Sequence, residues 1–267
     1  MQAGKKLIEP LRRKEHEGIS VIILCASLLL AACAPAGQTA QSPAPLPPTP
    51  QILYLTHTPA LRPWRERITA CAASQPQVGL RLEEIAPGSA VQADVQAARQ
   101  AADALLTLGE PDQTGGFFSL LGYEDLRLVV QRVNPLSEIA QADLESLLSG
   151  QAVWHDLPGA AGYDAPLEVW GYPAGDELER SLRKVFPAWS SAVWLAPDPQ
   201  AVLESVAISK GGLGFVPQSW LDAGETEVKT LRLPPETAQA LRLPVTAHSP
   251  AEPQGALRAL LGCVTTK

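Results

Sequence analysis

An α/β fold is the architecture this sequence predicts, and three observations predict it. The chain of 267 residues is long enough for one large domain or two small lobes around a sizeable core. Its 25 prolines, with 46% hydrophobic and 18% charged residues, describe an ordinary globular composition cut into many short elements. That excludes a long coiled coil and disorder throughout. Short apolar runs of strand length then alternate with segments of helical periodicity, in two successive series.

Residues 52–56 read as an apolar strand. Thr58 and Pro59 supply an N-cap and a first-turn proline for a helix whose Leu61, Trp64, Ile68 and Cys71 share one face. Val78, Leu80 and Leu82 alternate with polar neighbours as a second strand. Pro87, Gly88 and Ser89 make a turn, residues 90–100 are helical in composition, and residues 104–108 return as strand. This β-α-β-α-β order favours a parallel sheet with helices on both faces. Residues 126–133 form the strongest strand, with Leu126, Leu128 and Val130 on one face; beyond Asn134 and Pro135 a helix runs to a stop at Ser149 and Gly150. The second series places a strand at 167–172 and a helix at 176–186 with Leu178, Leu182 and Val185 inward. A helix opened by Asp198 and Pro199 runs to about residue 209, and a strand follows at 213–217. The last segment offers strands at 228–233 and 241–246, then a helix at about 252–261 with Cys263 just beyond it.

Before this body the chain carries an address. Lys5, Lys6, Arg12, Arg13 and Lys14 precede an uncharged apolar run of 15 residues, 18–32, too short for the roughly 20 residues of a membrane-spanning helix. The run ends in Leu30, Ala31, Ala32 and Cys33, and in that order it resembles the bacterial lipoprotein signal. The resemblance implies that residues 1–33 form a signal ending at Cys33, which is diacylated and becomes the new amino terminus. The chain is then extracytoplasmic and anchored to the bacterial cell membrane. Residues 34–50 contain six prolines and no charge, a composition that favours a solvated, extended polyproline tether.

Charge and cysteine content narrow the partners. Residues 1–32 hold five Lys/Arg and three Asp/Glu of the chain's 21 and 28, so the net charge of −7 becomes −9 beyond them. Such a body repels polyphosphate backbones, and nucleic acid is not an expected partner. Cys25 leaves with the signal and Cys33 takes the lipid, so Cys71 and Cys263 remain. In an oxidising compartment that pair is most simply a disulfide; two buried thiols that never meet is the alternative. His57, His155 and His248 are scattered singly, so no metal site and no cofactor is expected. Neither G-x-S-x-G, H-E-x-x-H, C-x-x-C nor G-x-x-x-x-G-K occurs, and the chain is not expected to be an enzyme, although distant residues assembling a Ser-His-Asp site is an alternative.

Residues 126–154, with their hydrophobic strand, Asn134-Pro135-Leu136, amphipathic helix, Leu148-Ser149-Gly150 and Trp154, look like the segment that opens the second lobe of phosphate-type periplasmic binding proteins. Residues 198–216, with Lys210-Gly211-Gly212-Leu213-Gly214-Phe215-Val216, are similar to the strand by which that family's chain crosses back. The resemblance covers most of residues 51–265. It implies a two-lobed periplasmic-binding-protein type II fold with two crossing strands, here 126–133 and 213–217. Lobe 1 is then residues 51–133 plus 213–267, and lobe 2 is residues 134–212. It also implies a monomer that captures a small-molecule solute between the lobes and presents it to the membrane permease of an ABC transporter.

In such a cleft, helix N-termini from both lobes aim N–H groups at one solute. The candidate ligand-binding residues are Thr56, His57 and Thr58 in one turn, Gly88, Ser89 and Ala90 in a second, and Gly175 and Asp176 in a third. Thr58, Ser89 and Asp176 are equally ordinary N-caps. Trp170 and Tyr172 share a strand face that either lines the cleft or packs under helices. One departure from the family stands out: where it has a Gly-Ser-Gly-Thr turn, this chain has Ala174-Gly175-Asp176-Glu177, two carboxylates where an anion would be cradled. A scaffold for interaction or sensing, with the lobes kept and solute binding lost, is therefore the alternative function.

Overall fold

The computed structural model describes residues 49–85, 102–109, 116–189, 193–224 and 227–266, within one compact unit spanning Thr49–Lys267. The lipidation candidate Cys33, the turn at Gly88, Ser89 and Ala90, and the helix expected at 90–100 lie outside the described residues. No helix among the described residues is long and apolar enough to cross a membrane.

Strand β1 (Gln51–His57) lies parallel to both β2 (Val78–Glu84) and β3 (Ala104–Leu108). A 3-10 turn (Pro59–Leu61) and helix α1 (Trp64–Ala73) connect β1 to β2, and the four residues expected on one face, Leu61, Trp64, Ile68 and Cys71, are all buried. β4 (Phe117–Gln131) is 15 residues long and serves two sheets. Its first half, to Asp125, pairs antiparallel with β9 (Arg242–Ser249), which in turn pairs antiparallel with β3. From Leu126 onward it pairs with β7 (Gly212–Pro217) and β8 (Val228–Thr230). β7 continues the second sheet through β5 (Glu168–Gly171) to β6 (Trp194–Leu195), all three parallel. The path is β2-β1-β3-β9-β4-β7-β5-β6 with β8 beside β4.

The sheet is therefore mixed. The expected parallel pairing holds within β1, β2 and β3 and within β5, β6 and β7; α1 connects β1 to β2, and helices likewise connect β5 to β6 and β6 to β7. β4 and β9 run antiparallel to their neighbours, and β4 carries the chain from the first sheet to the second. β4 is the outward crossing. The strand at 213–217 pairs wholly within the second sheet, its Pro217 opposite Leu126 at the junction, and the chain re-enters the first sheet as β9.

Helices cover these sheets. In the second lobe lie α2 (Gln141–Leu148), followed by Gly150 with φ +75°, then α3 (Glu177–Val185) and α4 (Pro199–Ile208). Asp198 caps α4 by accepting from Ala201 N at 2.9 Å, with Pro199 in its first turn, as the sequence indicates. Two short helices, α5 (Gln218–Asp222) and α6 (Pro235–Ala240), precede the last, α7 (Gly255–Thr266). Cys263 lies inside α7, not beyond it, and is bonded to Cys71 of α1, pinning the C-terminal helix to the first lobe.

The glycine-rich run before β7 has a packing cause. A Cβ on Gly211 would stand 1.6 Å from the Pro166 carbonyl oxygen, and one on Gly214 would stand 2.5 Å from Val202 Cγ1. Gly211 O accepts from the fully buried Trp154 Nε1 at 2.9 Å and from Glu168 N at 3.0 Å, so the chain must pass close at this point.

Candidate functional site

The first lobe brings the C-terminal ends of β1 and β3 side by side. Thr58 follows β1 in extended backbone, and its N–H donates to Leu106 O at 3.2 Å. The expected N-cap bond is not made. Its hydroxyl is instead turned across the junction, where Oγ1 donates to Glu177 Oε1 at 2.5 Å. The Leu108 N–H, at the end of β3, donates to Glu177 Oε2 at 3.0 Å. One carboxyl of the second lobe thus receives donors from two strands of the first.

Glu177 is the first residue of α3 and is 5% exposed. The preceding turn delivers it. Gly175 has φ +88°, a left-handed conformation that residues with a Cβ rarely adopt, and Asp176 then caps α3 by accepting from Leu178 N at 2.8 Å. Burial raises Glu177 from 4.5 to about 8, with the neighbouring Asp176 charge adding to it and the bonds from Thr58 and Leu108 and the Arg180 charge opposing it. Burial likewise raises Asp176 from 3.8 to about 6, against the pull of the Leu178 and Glu179 N–H groups. Near neutral pH the junction holds a protonated Glu177 carboxyl.

Other contacts join the lobes around this point. Arg62 grips Glu84 of β2 with two bonds, Nε to Oε2 at 2.9 Å and Nη2 to Oε1 at 2.7 Å. It also reaches Asp198 Oδ2 at 3.2 Å and Gln200 Oε1 at 3.0 Å on α4. Its guanidinium lies 5.1 Å from the Trp220 ring centroid, and Trp220 Nε1 donates to Ala60 O at 2.9 Å. Buried Glu124 accepts from Trp64 Nε1 at 2.5 Å and Ser219 N at 3.3 Å.

Of the residues singled out from sequence, Thr58 and the turn of Gly175 and Asp176 stand together at this junction. Thr56 is half-buried on β1. His57 is wholly buried; its Nδ1 lies 2.9 Å from Thr58 O, and Nε2 has no partner among the described residues. Burial is the main cause lowering its pKa, and its charged neighbours are Glu84, Arg65 and Arg62. The ring is a neutral core group, not a solvated loop residue. Tyr172 is buried with its hydroxyl on Phe215 O at 2.7 Å, while Trp170 stacks on Trp194.

Glu177 and Leu108 are the members that sequence reasoning left off its site list. A backbone N–H carries no residue-type signal, and Glu177 reads as a first-turn acid suited to the helix dipole.

Two concavities are lined by other residues. A cavity of about 200 Å³ is lined by second-lobe residues alone, Tyr172, Glu179, Leu182, Arg183 and Trp189 among them. A polar groove of about 640 Å³ follows the sheet junction past Arg127, Arg232 and Arg242. Arg127 pairs with Asp125, Arg232 with Glu138, and Arg242 lies over the Tyr123 ring. No cluster of potential metal ligands is found among the described residues.

No family model matches the chain, and no curated protein matches it in sequence. Solved structures do. A putative phosphate ABC transporter substrate-binding protein from Clostridium perfringens, with bound phosphate, matches with a TM-score of 0.66 at 11% identity, covering 80% of this chain and 93% of that one. An ABC-type phosphate transport receptor from Vibrio cholerae matches at 0.58 and 14% identity, covering 79% and 93%. The reduced regulatory domain of OxyR2 from Vibrio vulnificus matches at 0.59 and 16% identity, covering 83% and 97%. At such identities these likenesses show the fold, which is the two-lobed periplasmic-binding-protein type II fold. That fold serves both binding proteins and regulatory domains.

Proposed function

We propose that this protein is a lipid-anchored extracytoplasmic solute-binding protein. It is held to the bacterial cell membrane through Cys33 and the tether at 34–50, and its lobes close on a small polar or anionic solute for an ABC-type permease. The observation that carries this reading is the junction itself: the turn after β1 and the N-terminus of α3, one from each lobe, meet on a single hydrogen-bonded carboxyl. The fold shared with two phosphate-transport proteins and the lipoprotein-like leader support it. Binding energy in such a protein comes from contacts made only in the closed state, so the solute shifts an open–closed equilibrium and no bond is broken. Asp176 and Glu177 narrow the solute class: a phosphate dianion would face two buried carboxyls, which favours a neutral or singly charged solute.

The test is titration of the full-length chain in detergent with inorganic phosphate, amino acids, sugars and short carboxylates, read by tryptophan emission. Trp64 and Trp220 stand at the lobe junction and report closure. A saturable change with one solute class is expected; indifference to the whole panel sinks the transport reading. Mass measurement checks the anchor independently, since Cys33→Ala should leave unprocessed, unacylated precursor.

A second reading, an interaction or sensing scaffold without solute, is favoured by one observation. The donors that a solute would use are already taken by Glu177.

A further inference from the structure

The first lobe ends two neighbouring strands in groups that point at one spot: the Thr58 hydroxyl after β1 and the Leu108 N–H at the end of β3. Two convergent donors suit the two oxygens of one carboxyl. The group found there belongs to the chain, arriving from 119 residues away in sequence, and it is sealed from solvent. A surface acid at a helix start would satisfy the helix dipole while remaining hydrated. Glu177 instead gives up its hydration, which costs stability unless its two bonds to the other lobe offset the loss.

We propose that Glu177 is an internal latch: its carboxyl is the resident occupant of the Thr58 and Leu108 donors, it holds the two lobes shut, and a solute gains these donors only when the carboxyl has left them. The latch rests on the solute-binding reading only in naming this donor pair part of a solute site. The latch sets the chemistry that can compete. A small carboxylic acid reproduces both bonds, whereas a sugar or an amine offers no matching pair of oxygens.

Truncation supplies the test, because the atoms that Glu177→Ala removes beyond Cβ have the shape of acetic acid. The full-length chain in detergent is melted at about pH 5.5, with acetate replacing chloride at constant ionic strength and with phosphate as a parallel arm. Glu177→Ala should melt below the unsubstituted chain and regain roughly 3–5 °C at acetate tenfold above its Kd. The unsubstituted chain and the double variant Thr58→Val/Glu177→Ala should not respond. A folded Glu177→Ala that ignores acetate, or a double variant that responds as strongly, overturns the latch. Rescue by phosphate but not acetate also overturns it, since the donors would then not be fitted to a carboxyl.

Should Glu177→Ala fail to fold, Glu177→Asp keeps the carboxyl but shortens the reach. Its Leu108 amide should exchange hydrogen at least tenfold faster than in the unsubstituted chain, and unchanged protection counts against the latch. Neither arm uses the native solute. Acetate rescue beside indifference to the solute panel therefore keeps the latch and ends the transport reading, and the reverse pattern does the opposite.

Discussion

Replacing Glu177 by Gln probes the buried proton directly. The carboxyl moves from an ordinary 4.5 to about 8 in the folded chain, chiefly because burial disfavours its charge. Between those values the unfolded chain has released a proton that the folded chain keeps. Stability from this group is thus fully present below about pH 4.5, declines as pH rises, and is lost by about pH 8. At 1.36 kcal/mol per decade the span corresponds to roughly 5 kcal/mol. Asp176 acts with the same sign between 3.8 and about 6, so the upper part of the window belongs to Glu177. A glutamine cannot ionise, yet it offers an oxygen to the Leu108 N–H and an amide to Thr58 Oγ1. Urea midpoints of both proteins, taken at about pH 5, 6, 7, 8 and 9 with the disulfide intact, should converge at the acid end and diverge by about 3–5 kcal/mol at the alkaline end. Parallel curves across that range would refute the claim that Glu177 is buried with its proton.

Three further outcomes follow from the geometry. Replacing Cys71 and Cys263 by Ser opens a link spanning 192 residues, and the chain-entropy relation gives roughly 5 kcal/mol as an upper figure for the loss, measurable as a fall in denaturant midpoint that reductant produces only in the unsubstituted chain. Gly211→Ala drives a Cβ onto the Pro166 carbonyl and disturbs the bonds from Trp154 and Glu168; a loss of about 3 kcal/mol or more, read as a drop of roughly 6–12 °C in Tm, is expected. Gly175→Ala meets open space, so only its left-handed backbone is penalised, by about 1–2 kcal/mol, and denaturation should show that modest loss with no added steric term.

Local grammar carried much of the fold. Residues 104–108 form a compact apolar run, and the caps at Asp176 and Asp198 are satisfied within a few residues of themselves, so the sequence alone exposes them. The first half of β4 was hidden for a physical reason. Gly122, Glu124 and Asp125 interrupt the apolar pattern ahead of residue 126, yet Glu124 is buried because Trp64 Nε1 and Ser219 N, from distant elements, supply its donors. Antiparallel pairing of β4 and β9 likewise depends on partners more than a hundred residues apart, which periodicity cannot report. At the junction, two of the three turns singled out from sequence meet, but a local reading makes Thr58 a helix cap. Its hydroxyl had a better acceptor in Glu177, and no pattern of spacing announces a bond across 119 residues.

The shared strand β4 has a consequence for anyone who would divide the molecule. Cutting between Asp125 and Leu126 leaves β7 its partner but parts β9 from both the first half of β4 and β3, so each fragment carries a raw row of unpaired amides and carbonyls. Excised halves should therefore clump or swap partners instead of staying dispersed, and in the intact body the loss of either sheet should drag the other down in one cooperative step.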